Sequence, residues 1–445
     1  MATTTTPTAD DSVIGHDDYA LKRVPEPARY HWFSVAAQRF GQVSALSQFL
    51  LGATLGMGMT FWNAFWALTL GAVILEAVAI LVGIIGVKEG LSTSVLARWT
   101  GFGRYGSALI GLVIAVSLVG WFGIQNAVFA EGLQSLIGGP PLWVWTVIAG
   151  AFVTLIVVYG FASMQWIAWV TVPLFIALAG WSITVELSRH SISKLVAEAP
   201  PGPHLSLAAG ATLVAGGFIV GAVITPDMTR YNRSVPDVIK QTILGVTLGE
   251  YAIGLIGVLL AHGLKTGDVV EIVTSTSGVI GTVILIAATL KINDWNLYSS
   301  SLGFVNLIDT LFRRRVNRAV MTIVLGVIGT ALAALGILDA FTDFLNILGI
   351  AVPPVAGIMV AEYFVVRRWR ADLTDGAGGL PAFSPAWVPA TLVIWIAAFC
   401  VGQFVTWGIP ALNSLVFAFV VYVIAGKLGL TRGVGSVRTE AGPVH

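Results

Sequence analysis

Twelve stretches of about 20 apolar residues, each long enough to cross the hydrocarbon core of a bilayer, recur along this chain. They run 36–62, 66–87, 104–136, 141–160, 165–187, 206–227, 238–262, 277–308, 317–336, 341–366, 386–406 and 410–428. Lipid offers backbone N–H and C=O groups no partner, so spanning segments must be helices or closed barrels. No strand-like alternation supports a barrel. The expected fold is an all-α integral membrane protein with about twelve transmembrane helices. Composition agrees: charged residues make up 11% of 445, against about 25% in soluble domains. Too few charges remain to coat a water-facing surface, which excludes a soluble enzyme, a disordered scaffold and a secreted disulfide module. The single cysteine, Cys400, excludes an internal disulfide. A net charge of +1 leaves no general attraction for nucleic acid.

Basic residues write the topology. With the N-terminus in the cytoplasm and sides alternating, twenty of the 24 Lys and Arg residues fall inside. Arg189, Lys194 and Lys265 fall outside, and Lys291 alone stays within a span. This is the positive-inside bias, and one missed helix would invert it downstream. The expectation is a multi-pass plasma (cytoplasmic) membrane protein with both termini cytoplasmic. Residues 1–35 form an N-terminal tail and 429–445 a C-terminal one. The first thirty residues carry Asp10, Asp11, Asp17, Asp18, Pro25 and Pro27 and no signal-peptide pattern, so they read as a retained, mobile tail.

Two spans are ill-suited to a continuous helix. The first carries Gly41, Ser44, Ser47, Gly52, Gly56 and Gly58; the sixth carries Gly210, Gly216, Gly217, Gly221 and Pro226. Either set alone reads first as close-packing glycines. First and sixth are matching positions if two five-helix halves repeat, and such a matched pair of interruptions points to a secondary transporter's binding site.

Chemistry-bearing residues cluster in three spans. Trp121 and Gln125 lie four apart on one helical face near mid-span: a flat stacking platform, with a carboxamide that both donates and accepts. They suit a small planar heterocycle, although an aromatic filling the core beside Gly120 has the same spacing. Phe218 follows Gly216 and Gly217 in the interrupted sixth span, where it can form a second wall. Span eight holds Lys291, Asn293, Asp294, Trp295 and Asn296 near its centre. Ionisable groups at that depth are costly and functional by default. Lys291 and Asp294, three apart, suit either a structural ion pair or a coupling site. Glu76 and Glu250 are also near mid-span, and protonation, pairing with Lys291 and a proton pathway all remain open for them.

Enzyme-like signals fail on context. Gly101–Gly106 fits G-x-G-x-x-G but follows no strand. His16, His31, His190, His204, His262 and His445 fall in tails, loops or span ends, none spaced for a metal or haem. No Walker loop or nucleophile elbow is present. The chain reads as no enzyme, with no cofactor, and with a lipid bilayer and a small planar heterocycle as its partners. A channel would show a polar ring or a repeated filter, and a sensor an attached signalling domain; neither is visible.

Several motifs together carry a resemblance. Gly120-Trp121-Phe122-Gly123, Asn293-Asp294-Trp295-Asn296-Leu297-Tyr298, Val352-Pro353-Pro354 and Ala361-Glu362-Tyr363 resemble the nucleobase–cation symporter 1 family, near its cytosine permease branch. The resemblance runs from about residue 30 to 428. It implies a LeuT-type fold within 36–428. Two inverted five-helix repeats, about 36–187 and 206–366, would be followed by two extra helices over 386–428, with alternating access around a central site. By this resemblance Trp121 stacks on the substrate ring, Gly217 and Phe218 form the opposite wall, and Gln125 matches a hydantoin-branch glutamine. Gly41, Ser44 and Ala45 fall where an unwound helix presents carbonyls to sodium.

Departures from the family pattern carry the finer expectations. Ala288 replaces the cytosine branch's substrate asparagine, and Leu118 replaces its glutamine. The hydroxyl pair that completes the sodium site aligns with Lys291-Ile292. A lysine ammonium there would stand in the cation's place, so proton coupling is expected rather than sodium, with Lys291, Asp294 and Glu250 as coupling candidates. Ser47, Gln48, Asn293 and Asn296 are expected to read the substrate edge. The substrate expected is a nucleobase, cytosine or purine-like, with a hydantoin- or allantoin-type cyclic amide as the alternative.

Overall fold

The computed structural model describes residues 19, 22–159, 164–314, 316–374 and 379–439. Asp10, Asp11, Asp17 and Asp18 of the expected tail, together with Arg315, lie outside the described residues. Every expected span is a helix or a helix pair. The first is α1 (Trp32–Val43) plus α2 (Leu46–Gly58); then come α3 (Phe61–Glu89), the short α4 (Thr93–Leu96), α5 (Gly103–Ile137), α6 (Leu142–Tyr159) and α7 (Met164–Arg189). Short α8 (Ile192–Ala197) leads to α9 (Leu207–Val223) and one-turn α10 (Pro226–Thr229). Next are α11 (Val235–Leu264), α12 (Val269–Phe312) and α13 (Arg318–Ala334). The tenth span divides into α14 (Phe341–Ala351) and α15 (Pro353–Val360), which runs into a π-helical turn (Ala361–Val366). Short α16 (Arg370–Thr374), α17 (Pro389–Phe404) and α18 (Pro410–Lys427) finish the chain. Among the described residues seven helices are long and apolar enough to cross a membrane, and α9, α13 and α17 are shorter apolar helices.

Both suspected interruptions are real breaks. The chain leaves helical geometry at Ser44 (φ −76°, ψ 52°) and Ala45 (φ −109°, ψ 170°) between α1 and α2. In the sixth span the break comes at Ile224–Thr225, because Pro226 has no N–H to continue the ladder and starts α10 instead. Arg39, which sequence reading counts with the basic residues of the inner membrane edge, is fully buried between the breaks. Its Nη2 donates to Thr225 Oγ1 at 2.9 Å and its Nη1 to the Gly221 carbonyl at 3.4 Å.

The glycines of these spans have two different jobs. A Cβ on Gly52 would strike the Gly254 carbonyl, and one on Gly56 would lie 2.7 Å from the Val258 oxygen, so α2 and α11 pack backbone against backbone. Gly216 lies likewise against the Leu345 carbonyl. Gly41 has nothing within 4 Å. That glycine borders open space.

Three boundaries depart from the sequence reading. The eighth helix begins at Val269 rather than 277, with a kink at Gly278 (φ 58°, ψ −150°) that only glycine adopts readily. The eleventh begins at Pro389 rather than 386, because Phe383–Trp387 forms strand β1. β1 pairs antiparallel with β2 (Val434–Arg438), Phe383 opposite Arg438, so part of the expected C-terminal tail is ordered. The described part of the N-terminal tail is pinned as well. Val24 is buried and its N–H donates to Gly90 O at 2.9 Å; Arg23 Nη1 donates to Glu89 Oε2 at 2.8 Å; Tyr30 N–H donates to Tyr231 O at 2.7 Å. These partners are remote in sequence, and local polarity gives no sign of them.

Candidate substrate and coupling site

A cavity of about 390 Å³ lies between the two broken spans, within the size range of small-molecule sites. Gly41, Ala45 and Ser47 line it from the first span, Trp121 and Gln125 from α5, Gly217 and Phe218 from α9, and Lys291 and Asn296 from α12. These are nine of the fourteen residues expected at the site. Helical spacing puts Trp121 and Gln125 on one face of α5, and both reach the same space. Behind Trp121, the rings of Phe341 and Phe344 meet it edge-on at 6.1 and 5.4 Å. Gly120 is flush because the Phe344 ring fills the space a Cβ would take. The Phe218 ring lies over Gly221, with the Arg39 guanidinium 5.8 Å from its centroid. Gln125 is 1% exposed, and its Oε1 accepts from no protein donor. It is a ready hydrogen-bonding group for an occupant.

Five expected residues lie elsewhere. Asn293 does not line this cavity; it is wholly buried on another face of α12. Gln48 turns away from the cavity, and its Nε2 donates to Glu250 Oε2 at 2.5 Å. The reason is helical phase, since Ser47 and Gln48 point about 100° apart. Glu250 itself is wholly buried, with Oε1 accepting from no protein donor. Asp294 lines neither cavity and pairs with Lys291, and Ser44 belongs to a separate, smaller space beside the break.

That space, about 30 Å³, is lined by Gly41, Ser44 and Ala45, by Thr171 and Phe175 of α7, and by Ala288, Lys291 and Ile292. Lys291 Nζ stands 3.4 Å from Asp294 Oδ1, and Asp294 is 1% exposed. The Ser44 and Thr171 hydroxyls are buried without a protein partner. A sodium ion needs a shell of oxygens. Here one wall supplies the Lys291 ammonium and the Ile292 side chain.

Sequence reasoning missed Gln42, Phe341 and Phe344, and noted Trp295 without assigning it to the site. Trp295 lines the main cavity one turn from Lys291, and its i, i+4 spacing was legible. Phe341 and Phe344 arrive from a distant span and had no local signal. Phe341 also lines a second cavity of about 320 Å³ with Glu131, Asp268 and Asp339, on the side away from the pinned termini. The Phe341–Trp121 contact therefore separates two chambers. Among the described residues no group of His, Cys, Asp and Glu is arranged to hold a metal.

Comparison with known proteins follows the same lines. The profile of the family described as permease for cytosine/purines, uracil, thiamine, allantoin matches residues 24–429. The cytosine permease of Escherichia coli (strain K12) is 27% identical over 353 residues, covering 79% of this chain and 82% of that one. The hydantoin permease of Microbacterium maritypicum is 24% identical over 369 residues, covering 77% and 74%. The inward facing conformation of Mhp1 superimposes with a TM-score of 0.77 at 20% identity, covering 92% of this chain and 95% of that one. For Mhp1, a nucleobase-cation-symport-1 family transporter, in a closed conformation with bromovinylhydantoin bound, the TM-score is 0.73 at 21% identity, covering 93% and 95%.

Proposed function

Because the chain belongs to the permease family for cytosine/purines, uracil, thiamine and allantoin, and is a multi-pass membrane transporter rather than an enzyme, we propose that it imports a nucleobase, cytosine or purine-like, by cation symport with alternating access. The observation that carries this reading is the cavity between Trp121 and Phe218, with the buried Gln125 amide at its wall. A planar ring stacks on Trp121, and its amide-like edge exchanges hydrogen bonds with Gln125, Ser47 and Asn296. The inverted repeats are 36–187 and 206–366, and the face bearing both termini is the cytoplasmic side of the plasma membrane. The cavity's Gly41, Gln42 and Ile224 lie toward that face. Lys291 is a built-in cation in the place of sodium, which leaves the proton as the coupling ion.

A second reading, a hydantoin- or allantoin-type cyclic amide, is favoured by one residue. Gln125 matches the hydantoin branch, and its Oε1 is open to a ring N–H. Competition separates the two. Labelled cytosine uptake into proteoliposomes is challenged with uracil, hypoxanthine, allantoin and hydantoin, with Trp121→Ala as the control. Displacement by a nucleobase supports the first reading. Uptake of labelled hydantoin or allantoin without uptake of cytosine supports the second, and no uptake of any of the five compounds, each labelled in turn, contradicts both.

A further inference from the structure

The face of the broken first span against α11 holds one of the coupling candidates, a carboxyl outside the substrate cavity. Glu250 of α11 is completely buried. Among the described residues its one side-chain hydrogen bond comes from Gln48 Nε2, to Oε2, and no Lys or Arg forms an ion pair with it. An ionised carboxylate in such a place lacks both a counter-charge and enough donors, whereas a neutral carboxyl is tolerated there. The contact is also mechanically placed. Gln48 follows Ser47, which lines the substrate cavity, and sits one turn beyond Ser44 at the break. Below it α2 and α11 touch backbone to backbone at Gly52–Gly254 and Gly56–Val258. Hydrating an ionised Glu250 requires that tight seam to open.

We infer that Glu250 is the proton-binding site that couples transport: it carries the proton while the α2–α11 seam is closed and gives it up when the seam loosens. The inference rests on the symport reading above and names the group that reading leaves unassigned. The proton binds to a carboxylate oxygen of Glu250 and leaves to water on the other side, with no bond made to the substrate. Because Gln48 joins the carboxyl to the segment that touches substrate, proton and substrate occupancy favour the same arrangement, and the linkage is reciprocal.

The charged groups around Glu250 leave it this role. Glu76 arrives from α3, with Oε1 accepting from Thr247 Oγ1 at 2.5 Å; being of like charge, it opposes ionisation of Glu250. Arg39 of α1 packs against Gly245, more than a turn away, and is bonded to Gly221 and Thr225. Tyr251, next on α11, bonds Thr69 of α3. Glu186 of α7 lies against Gly263 near the far end of α11, and Lys194 of α8 adjoins Leu195, whose carbonyl contacts His262 there. Lys291 of α12 pairs with Asp294 one turn on along the same helix.

The test uses the purified full chain in proteoliposomes with labelled cytosine, read in two modes: exchange at equal pH, and accumulation under an imposed inside-alkaline pH gradient. Glu250→Gln should exchange within about threefold of wild type and lose gradient-driven accumulation by tenfold or more, whereas Glu76→Gln keeps both. Accumulation by Glu250→Gln at the wild-type level overturns the assignment. Should Glu250→Gln lose exchange too, Gln48→Leu decides, because it leaves the carboxyl and removes its donor. A shifted pH midpoint of exchange supports the proposal, and an unchanged midpoint overturns it. A wild-type protein that transports none of the competition panel fails the symport reading itself, a result distinct from any of these.

Discussion

The two flanks of the broken first span handle buried charge in opposite ways. Toward α12, Lys291 and Asp294 face each other at 3.4 Å, a cation and an anion three residues apart on one helix. Toward α11, Glu250 has a neutral amide donor and, among the described residues, no cation. The first flank is compensated internally and has no need to exchange ions. The second is neutral only when it holds a proton. On the proposed coupling, a span with a charge pair on one side and a titratable group on the other is driven by protons without sodium. The difference between the flanks follows from two positions: Lys291 one turn from Asp294, and Gln48 in phase with the buried Glu250.

Removing the cation from the compensated flank should have the largest effect. Lys291→Met leaves Asp294 buried without its partner, and breaking a buried pair in this way costs about 3–5 kcal/mol. Thermal denaturation in detergent should show a clear loss of stability, with Lys291→Met/Asp294→Asn recovering most of it. A single variant as stable as wild type breaks the comparison. Next is Trp121→Ala, which touches neither flank. Losing a stacked ring costs about 1–3 kcal/mol, or roughly five- to 150-fold in affinity at 1.4 kcal/mol per tenfold. Equilibrium binding of labelled cytosine reads it, and the dependence of accumulation on the pH gradient should be kept. On the other flank, Glu250→Gln is nearly isosteric and still offers an oxygen to Gln48, so its stability should stay within about 1 kcal/mol of wild type. A loss as large as that of Lys291→Met would mean that both flanks hold compensated charge.

The smallest effect is expected at the surface. Lys265 Nζ lies 2.5 Å from Glu198 Oε1, and this hydrogen bond and charge hold the Glu198 carboxyl below its usual range. Such a lowering stabilises the fold above the ordinary carboxylate range and fades as pH falls through it. At a solvent-screened site the contribution is too small to see. Lys265→Met should leave the thermal midpoint unchanged from pH 4 to pH 8, in contrast with either buried flank.

Much of this was legible in the sequence, for physical reasons. Lipid enforces apolar length, so the apolar helices could be read, and glycine and proline in the first and sixth spans marked the breaks. Trp121 with Gln125 followed from helical spacing, and Lys291 from the cost of a charge in a span. Other features depended on what lies across the bundle. Gln48 and Asn293 have the right chemistry, but rotation about their helices takes them out of the cavity. Phe341 and Phe344 reach Trp121 from the tenth span, and Arg39 crosses to the sixth. No local pattern encodes such contacts. Glu250 was visible as a misplaced charge, but its solitude beside Gln48 needed three dimensions.

The most direct test of the central claim is the choice of driving ion by the wild-type protein. Labelled cytosine uptake is measured in proteoliposomes under either an inward proton gradient without sodium or an inward sodium gradient at equal pH. The account predicts accumulation under the proton gradient and only equilibration under the sodium gradient. Accumulation driven by sodium would contradict it, because the Lys291 ammonium could not then be standing in the cation's place.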